Sequence, residues 1–356
     1  MANDPDSPKP ALRSGFSTGT AATAAALAAA MALKSGQIPD QVTIQLPKNQ
    51  SIVIPVFAGS AQKTIQTVVI KDAGDDPDVT NQAQIGVILE ETDKGLVIVG
   101  GQGVGRVTKP GLVLAPGEWA VNPVPRRMLA ENLAPYLLEV GLKVTIFVRD
   151  GQVLAEKTLN PRLGIMGGLS ILGTTGLVKP FSHGAYVATI DSALSVARAL
   201  GLTEVVLTTG GRSEGFARRI RADLPEEAFV QMADYFAVAL TKATQKGFTR
   251  VGLVSFFGKA VKQAAGHSCT HAHKNDLDLK IFADWLPTLS TALRAEIASA
   301  PTALAALDTL KKKGQTRVIS VVAQKMLASA RLVTGSEPKL WAWILDFDGT
   351  ILAQAD

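Results

Sequence analysis

Apolar positions change rhythm twice along this chain. Residues 14–20 are rich in Ser, Thr and Gly and lead into an Ala-rich run, 21–33, where Thr23, Leu27 and Met31 recur every four residues. Hydroxyls ahead of a strong helix former can accept the unpaired amides of a first turn, so the pattern predicts a helix packed closely on something. From 41 to 150 the runs are short and β-like. Val42-Thr43-Ile44-Gln45-Leu46 and Ser51-Ile52-Val53-Ile54 flank Pro47-Lys48-Asn49-Gln50, which predicts a hairpin. Further strands are expected at 67–71, 83–90 and 96–99, then a helix near 125–139. Runs at 143–149 and 152–157 flank Asp150-Gly151, a strong hairpin signal.

From about 180 the rhythm becomes helix, strand, helix. An apolar stripe at Val187, Ile190, Leu194 and Ala197 predicts an amphipathic helix over 183–200, stopped by Gly201. Val205-Val206-Leu207 runs into Thr209-Gly210-Gly211 and a helix near 215–221, and Val251-Gly252-Leu253-Val254 into Gly258 and another helix. Strands feeding glycine turns and helices indicate a doubly wound sheet. The expected architecture is an α+β, sheet-rich N-terminal domain over 13–180. An α/β C-terminal domain with a parallel, Rossmann-like sheet follows over 181–356, and a loose Pro-, Asp- and Ser-rich tail at 1–12 precedes both.

A length of 356 residues, 47% apolar and 19% charged, agrees with two globular domains. The formal charge of +5 admits nucleic acid, an anionic membrane or an acidic small substrate as partner. Basic residues come singly or in short groups such as Arg218-Arg219-Ile220-Arg221, and aromatics make up only 5%, which disfavours nucleic acid. The Ala run is too short for a bilayer and lacks a clustered basic flank, so no membrane segment is expected. A single cysteine, Cys269, permits no intramolecular disulfide and points to the cytoplasm.

Some suggestive strings carry little chemistry. Gly252 to Lys259 looks like a P-loop, but its glycines are one residue too far apart and Ala260 stands where a magnesium-binding hydroxyl belongs. Asp346-Phe347-Asp348-Gly349-Thr350 resembles an aspartyl-nucleophile loop, yet six residues follow it and a last strand ending in a turn is expected instead. Three of the four histidines, His267, His271 and His273, crowd around Cys269, but the spacing fits no structural zinc pattern and no metal is expected.

Other strings stay open between structure and site. Four carboxylates, Asp72, Asp75, Asp76 and Asp78, fall within seven positions of a Gly- and Pro-containing stretch, as a solvated turn or as a site whose crowding something relieves. Residues 100–108 are glycine-rich, and 164–176 alternate five glycines with apolar residues, as if two backbones or a flat ligand come close. Arg126 and Arg162 each follow an Asn-Pro turn, as two-pronged carboxylate partners or as members of ion pairs.

Together these strings resemble one family, the cobalt-precorrin-5B (C-1)-methyltransferases, or CbiD family. The matching segments are SGFSTGTAATAAA at 14–26, KDAGDDPDVT at 71–80, GQGVGRVTKPGL at 101–112, NPVPR at 122–126 and KTLNPRLGIMGGLSILGTTGLVKPFS at 157–182. Gly258-Lys259, 262–266 and Thr270-His271 follow in order, and the resemblance fades beyond 280. Two departures stand out. Ala21 occupies the family's usual cysteine position, and 266–274 are unusually His-rich.

The resemblance implies methyl transfer from S-adenosylmethionine to a ring carbon of a cobalt tetrapyrrole, the cobalt entering only as part of the substrate. Gly103, Gly105, Gly167, Gly168, Thr174 and Thr175 are expected to shape a floor under the macrocycle, with Arg106, Arg126 and Arg162 anchoring its carboxylates. The methyl donor is expected at the glycine turns of the C-terminal sheet, at Thr209, Gly210, Gly211, Gly258 and Lys259. One of Asp72, Asp75, Asp76 or His271 is expected to take a proton or polarise the ring. A non-enzymatic tetrapyrrole carrier and a nucleotide-binding phosphotransferase are the alternatives, and homo-oligomerisation stays open.

Overall fold

The computed structural model describes residues 12–61, 64–93, 95–138, 140–270 and 278–356. The chain divides into two compact units, Met1–His183 and Gly184–Asp356. The tail expected at 1–12 lies, but for Leu12, outside the described residues.

The first unit is built around the Ala-rich helix. Helix α1 (Thr18–Ser35) is capped by Ser17, whose hydroxyl accepts from the Thr20 amide, and it ends at Gly36 in the left-handed conformation. Nearly every residue from Thr18 to Ala30 is buried. Alanine allows this, because a helix without long side chains can approach its neighbours at backbone distance. The Thr67 hydroxyl donates to the Ala25 carbonyl at 2.6 Å, which shows how close the sheet comes.

Strands β1 (Gln41–Leu46) and β2 (Gln50–Pro55) form the expected hairpin, with Lys48 and Asn49 at positive φ in the turn. Val42, Ile44 and Leu46 are its buried face. A five-stranded sheet contains β3 (Ala58–Ala61), β4 (Ile65–Ile70), β5 (Gln84–Thr92), β6 (Leu96–Gly100) and β7 (Gly141–Val148), in the order β3-β4-β5-β7-β6. Helix α2 (Pro123–Leu133) packs beside α1. Its Asn132 side chain exchanges two hydrogen bonds with the Gln45 backbone, completing an edge of the hairpin.

The hairpin predicted at Asp150-Gly151 does not form. Asp150 does turn the chain at positive φ, but Gly151–Glu156 is a short helix, α3. Strand β7 is paired antiparallel to β5 on one side and parallel to β6 on the other, so it has no free edge for a returning strand.

The second unit opens with α4 (His183–Ala199), followed by β8 (Glu204–Thr208), α5 (Gly211–Ile220), β9 (Phe229–Gln231), α6 (Phe236–Gln245), β10 (Arg250–Phe256) and α7 (Phe257–Ala264). Helices α8 (Leu279–Asp284), α9 (Thr291–Ala298), α10 (Ala303–Lys312) and α11 (Ser320–Thr334) lead to strands β11 (Lys339–Leu345) and β12 (Ile351–Ala355). The sheet order is β9-β8-β10-β11-β12. The first four strands are parallel and β12 is antiparallel, so the sheet is mixed rather than wholly parallel. The turn at 346–350 leads into this extra edge strand, which the sequence pattern does not predict.

Both faces of the sheet are buried. Val205, Leu207, Val251, Leu253, Leu340 and Ile344 enter the larger core with the helices of one face. Val206, Val254, Trp341 and Leu345 meet Ala217 of α5 on the other. Burial on two sides explains why these strands read as unbroken apolar runs. No helix of the described residues is long and apolar enough to cross a membrane.

Candidate functional site

The order β9-β8-β10 reverses direction at β8; the chain leaves the C-terminal end of β8 through a glycine turn, whereas β10 passes directly into α7, with Gly258 in its first turn rather than in the expected glycine turn. Open α/β sheets form a crevice at such a point. A cavity of about 1030 Å³ lies there, bordered by Thr209, Gly210 and Gly211 from the turn after β8 and by Gly258 and Lys259 from the start of α7. All five residues expected to hold the methyl donor therefore border one cavity. Gly210, with φ 154°, is the N-cap of α5, and the Ser213 hydroxyl donates to its carbonyl at 2.9 Å. Amides at the start of a helix favour an anionic group.

Asp234, Lys262 and Thr270 also border the cavity. Asp234 Oδ1 accepts from Lys259 Nζ at 3.0 Å and from the Thr270 hydroxyl at 2.8 Å. On another part of the wall, Arg212 lies over the rings of Phe256 and Phe347, which stack on each other at 5.0 Å. Tyr186 and Tyr235 stack at 5.1 Å. Burial raises the pKa of both phenols, and the Asp234 charge adds to the rise, so both stay protonated across the physiological range.

In the first unit the two glycine-dense strings are hydrogen-bonded neighbours. Gly103-Val104 runs parallel to Gly168-Leu169, and Arg106-Val107 antiparallel to Ile165-Met166. A Cβ on Gly168 would lie 2.1 Å from the Gly103 carbonyl oxygen, and one on Gly105 2.8 Å from that of Gly168. These glycines let two backbones touch. Gly167 is different: it is exposed, at φ 82°, with nothing within 4 Å of an added Cβ. Beside it, exposed Arg106 lies 4.2 Å over the Trp119 ring, opposite half-exposed Met166.

The 14–20 string locks onto the same region. The Thr18 hydroxyl donates to the Ser170 carbonyl and accepts from the Leu172 amide, and the Thr20 hydroxyl donates to the Gly176 carbonyl at 2.7 Å. Thr174 and Thr175 are exposed on the intervening loop, where the Thr175 hydroxyl bonds the Leu177 backbone. Arg126 Nε donates to the Val121 carbonyl at 2.7 Å. Arg162 is half-buried, and its carbonyl accepts from Lys109 Nζ at 3.2 Å.

The acidic run serves as a clasp. Asp72 takes the Arg13 guanidinium on both oxygens, and that hydrogen bonding holds its carboxyl below the usual carboxylate range. Asp75 accepts from the Arg13 amide at 2.6 Å and Asp76 from the Phe181 amide at 2.8 Å. These contacts tie three separate stretches of chain together and leave Asp72 a weak base. His271, the other expected proton acceptor, lies outside the described residues, as does His273. The P-loop-like string has a structural account: Gly252 sits inside β10, where an added Cβ would fall 2.1 Å from the Trp341 ring, so no phosphate loop exists there.

Comparison with known proteins agrees with these motifs. The CbiD family model matches residues 5–180, and the model of the CbiD C-terminal domain matches residues 269–356. A cobalt-precorrin-5B C(1)-methyltransferase of Geobacillus kaustophilus is 41% identical over 98% of this chain and 95% of its own length. One of Pseudomonas putida is 42% identical over 97% of this chain and 96% of its own. The chain belongs to the CbiD family. A 1.9 Å crystal structure of a cobalamin biosynthesis protein (CbiD) from Archaeoglobus fulgidus is 26% identical, with 85% of each chain covered and a TM-score of 0.40.

Ala21 is fully buried in the first turn of α1, where a small apolar side chain suffices. Sequence reasoning missed Arg212, Asp234 and Lys262 on the cavity wall. Asp234 had a faint signal: it closes the short run Phe229-Val230-Gln231-Met232, which is too brief to register as a strand by periodicity.

Proposed function

We propose that this chain transfers the methyl group of S-adenosylmethionine to carbon 1 of cobalt-precorrin-5B in cobalamin biosynthesis. In this reading the C-terminal sheet acts as a Rossmann-like platform with the donor in its switch-point cavity, and the N-terminal unit receives the tetrapyrrole. The observation that carries the donor assignment is that Thr209, Gly210, Gly211, Gly258 and Lys259 converge on one cavity. Its volume is ample for a ligand of nucleoside size. The residues present suit the donor chemically. The start of α5 suits its carboxylate, and apolar walls at Phe256 and Leu279 suit a flat base.

A sulfonium supplies an activated methyl, so the protein's task is to bind, align and exclude water. Alignment of two reactants is worth up to ~7–11 kcal/mol at its ideal limit. Arg106, Arg126 and Arg162 are the proposed anchors for the carboxylates of the ring, with the exposed backbone at Gly167, Thr174 and Thr175 as a surface beneath it. Any proton acceptor is proposed among Asp75, Asp76 and His271, because the Arg13 guanidinium holds Asp72 as a weak base.

An anaerobic incubation with cobalt-precorrin-5B and methyl-labelled S-adenosylmethionine tests the activity. Label is expected in the macrocycle, one per turnover, with S-adenosylhomocysteine released. Tetrapyrrole binding with neither label transfer nor binding of S-adenosylhomocysteine would reduce the protein to a carrier. The Arg106→Ala substitution tests the anchors: losing a charge-assisted hydrogen bond should raise the tetrapyrrole KM about tenfold or more. The Kd for S-adenosylhomocysteine should stay within about twofold. Equal losses for both ligands would refute the division of roles between the units.

A further inference from the structure

We infer that Asp234 reads the ribose diol of the methyl donor, and so fixes which way round the donor lies in the cavity. The inference rests on the cavity being the donor site, and it adds the residue that sets nucleoside specificity and orientation there. Three observations lead to it.

The first is position. Strand β9 lies beside β8, on the side away from β10. Where a glycine turn follows one parallel strand, the end of the adjoining strand faces the sugar of a bound nucleotide, and a carboxylate there can accept from its hydroxyls. Asp234 occupies that place. The Met232 amide donates to the Thr208 carbonyl at 2.8 Å as the last rung of the β8–β9 ladder, and Asp234 follows two residues later on the cavity wall.

The second is how the chain gets there. Ala233, between the last rung and Asp234, has φ 47°. That left-handed conformation is uncommon for a residue with a Cβ, and strain of this kind gathers at ligand sites.

The third is how the carboxylate is held. Lys259 Nζ and the Thr270 hydroxyl both donate to Oδ1, and the Thr270 amide donates to the Asp234 carbonyl at 3.0 Å. Lys259 and Thr270, from other segments, therefore orient the group through Oδ1. A carboxylate offers about four acceptor positions, so this clamp is compatible with further donors. With the ribose at Asp234, the amino-acid end of the donor points to the start of α5.

The test compares S-adenosylhomocysteine with its 2′-deoxyribose analogue by calorimetry, using the full-length protein and Asp234→Asn. Wild-type protein should bind the deoxy analogue about 10–100-fold more weakly, the range for a hydrogen bond to a charged group. Asp234→Asn should weaken S-adenosylhomocysteine about tenfold or more and shrink the preference for the diol to about threefold or less. A residue that only braced Lys259 would lower affinity for both ligands and leave that ratio untouched, and this result overturns the inference. Equal binding of the two ligands by wild-type protein also overturns it, and needs no variant to fold. Failure of wild-type protein to bind S-adenosylhomocysteine at all would instead remove the donor-site reading, and Asp234's role with it.

Discussion

Replacing Gly211 by Phe should abolish donor binding while leaving the protein folded. Gly211 is the first residue of α5 and borders the switch-point cavity. A Cβ there would meet only the Gln231 side-chain amide, at 3.7 Å, which is ordinary contact. The protein itself thus has room for a side chain, and a ligand in the cavity would not. Gly258 is a poorer choice, since its added Cβ would lie 3.1 Å from Ala303 and press on α10. Removing a glycine from a helix start carries little intrinsic penalty. The Kd for S-adenosylhomocysteine should rise at least about 100-fold, equivalent to ~2.7 kcal/mol. The midpoint of thermal unfolding should shift by no more than about 3 °C, as for a change of under ~1 kcal/mol. Wild-type affinity in a folded Gly211→Phe protein would place the donor elsewhere.

That cavity is legible in the sequence because its parts are local. Val205-Val206-Leu207 and Val251-Gly252-Leu253-Val254 are apolar on both faces; the first runs into a glycine turn and a helix, the second straight into a helix with Gly258 in its first turn. Strand, turn and helix start are read within about ten residues. Asp234 is not legible for the same reason inverted: its strand is three residues long, and its meaning comes from lying beside β8. The contact of Gly103 with Gly168 is likewise long-range. Spacing shows only that two backbones or a flat ligand come close; the structure assigns Gly103, Gly105 and Gly168 to the backbones, while Gly164, Gly173 and Gly176 pack against side chains.

The error at Asp150-Gly151 has a related cause. The dipeptide turns the chain as its local chemistry demands, with Asp150 at positive φ. The next element is decided by the strands already paired on both edges of β7, which leave helix α3 as the alternative to a returning strand. Local signals set the turn, and tertiary context sets the element after it. The acidic run shows the same division. Its residues read evenly as turn or site, and the balance is tipped by Arg13 and Phe181, neither of which is near it in sequence.

The Lys71–Asp78 pair gives the largest stability effect expected in this clasp. Lys71 is 1% exposed, and its Nζ donates to Asp78 Oδ2 at 2.8 Å. Asp78 Oδ1 accepts from both the amide and the hydroxyl of Thr80 at 2.7 Å. Burial alone would push the Asp78 carboxyl up, but the Lys71 ammonium and the Thr80 donors outweigh it, and the net shift is downward. Asp78→Ala leaves a buried ammonium without its counterion, which costs about 3–5 kcal/mol. In the double variant Lys71→Met/Asp78→Ala the uncompensated charge is gone, so about 1–3 kcal/mol should return. The sign of the pH dependence follows from the lowered pKa. The carboxylate's contribution is complete above the unfolded value of about 4 and is lost as pH falls through the lower folded value. Urea unfolding of wild-type protein between pH 7 and 3 should therefore show a loss of stability below about pH 4 that is smaller in Asp78→Ala. A single variant within about 1 kcal/mol of wild type at pH 7 would mean that Lys71 finds other compensation, and the acidic run would again be open to a role in binding rather than in architecture.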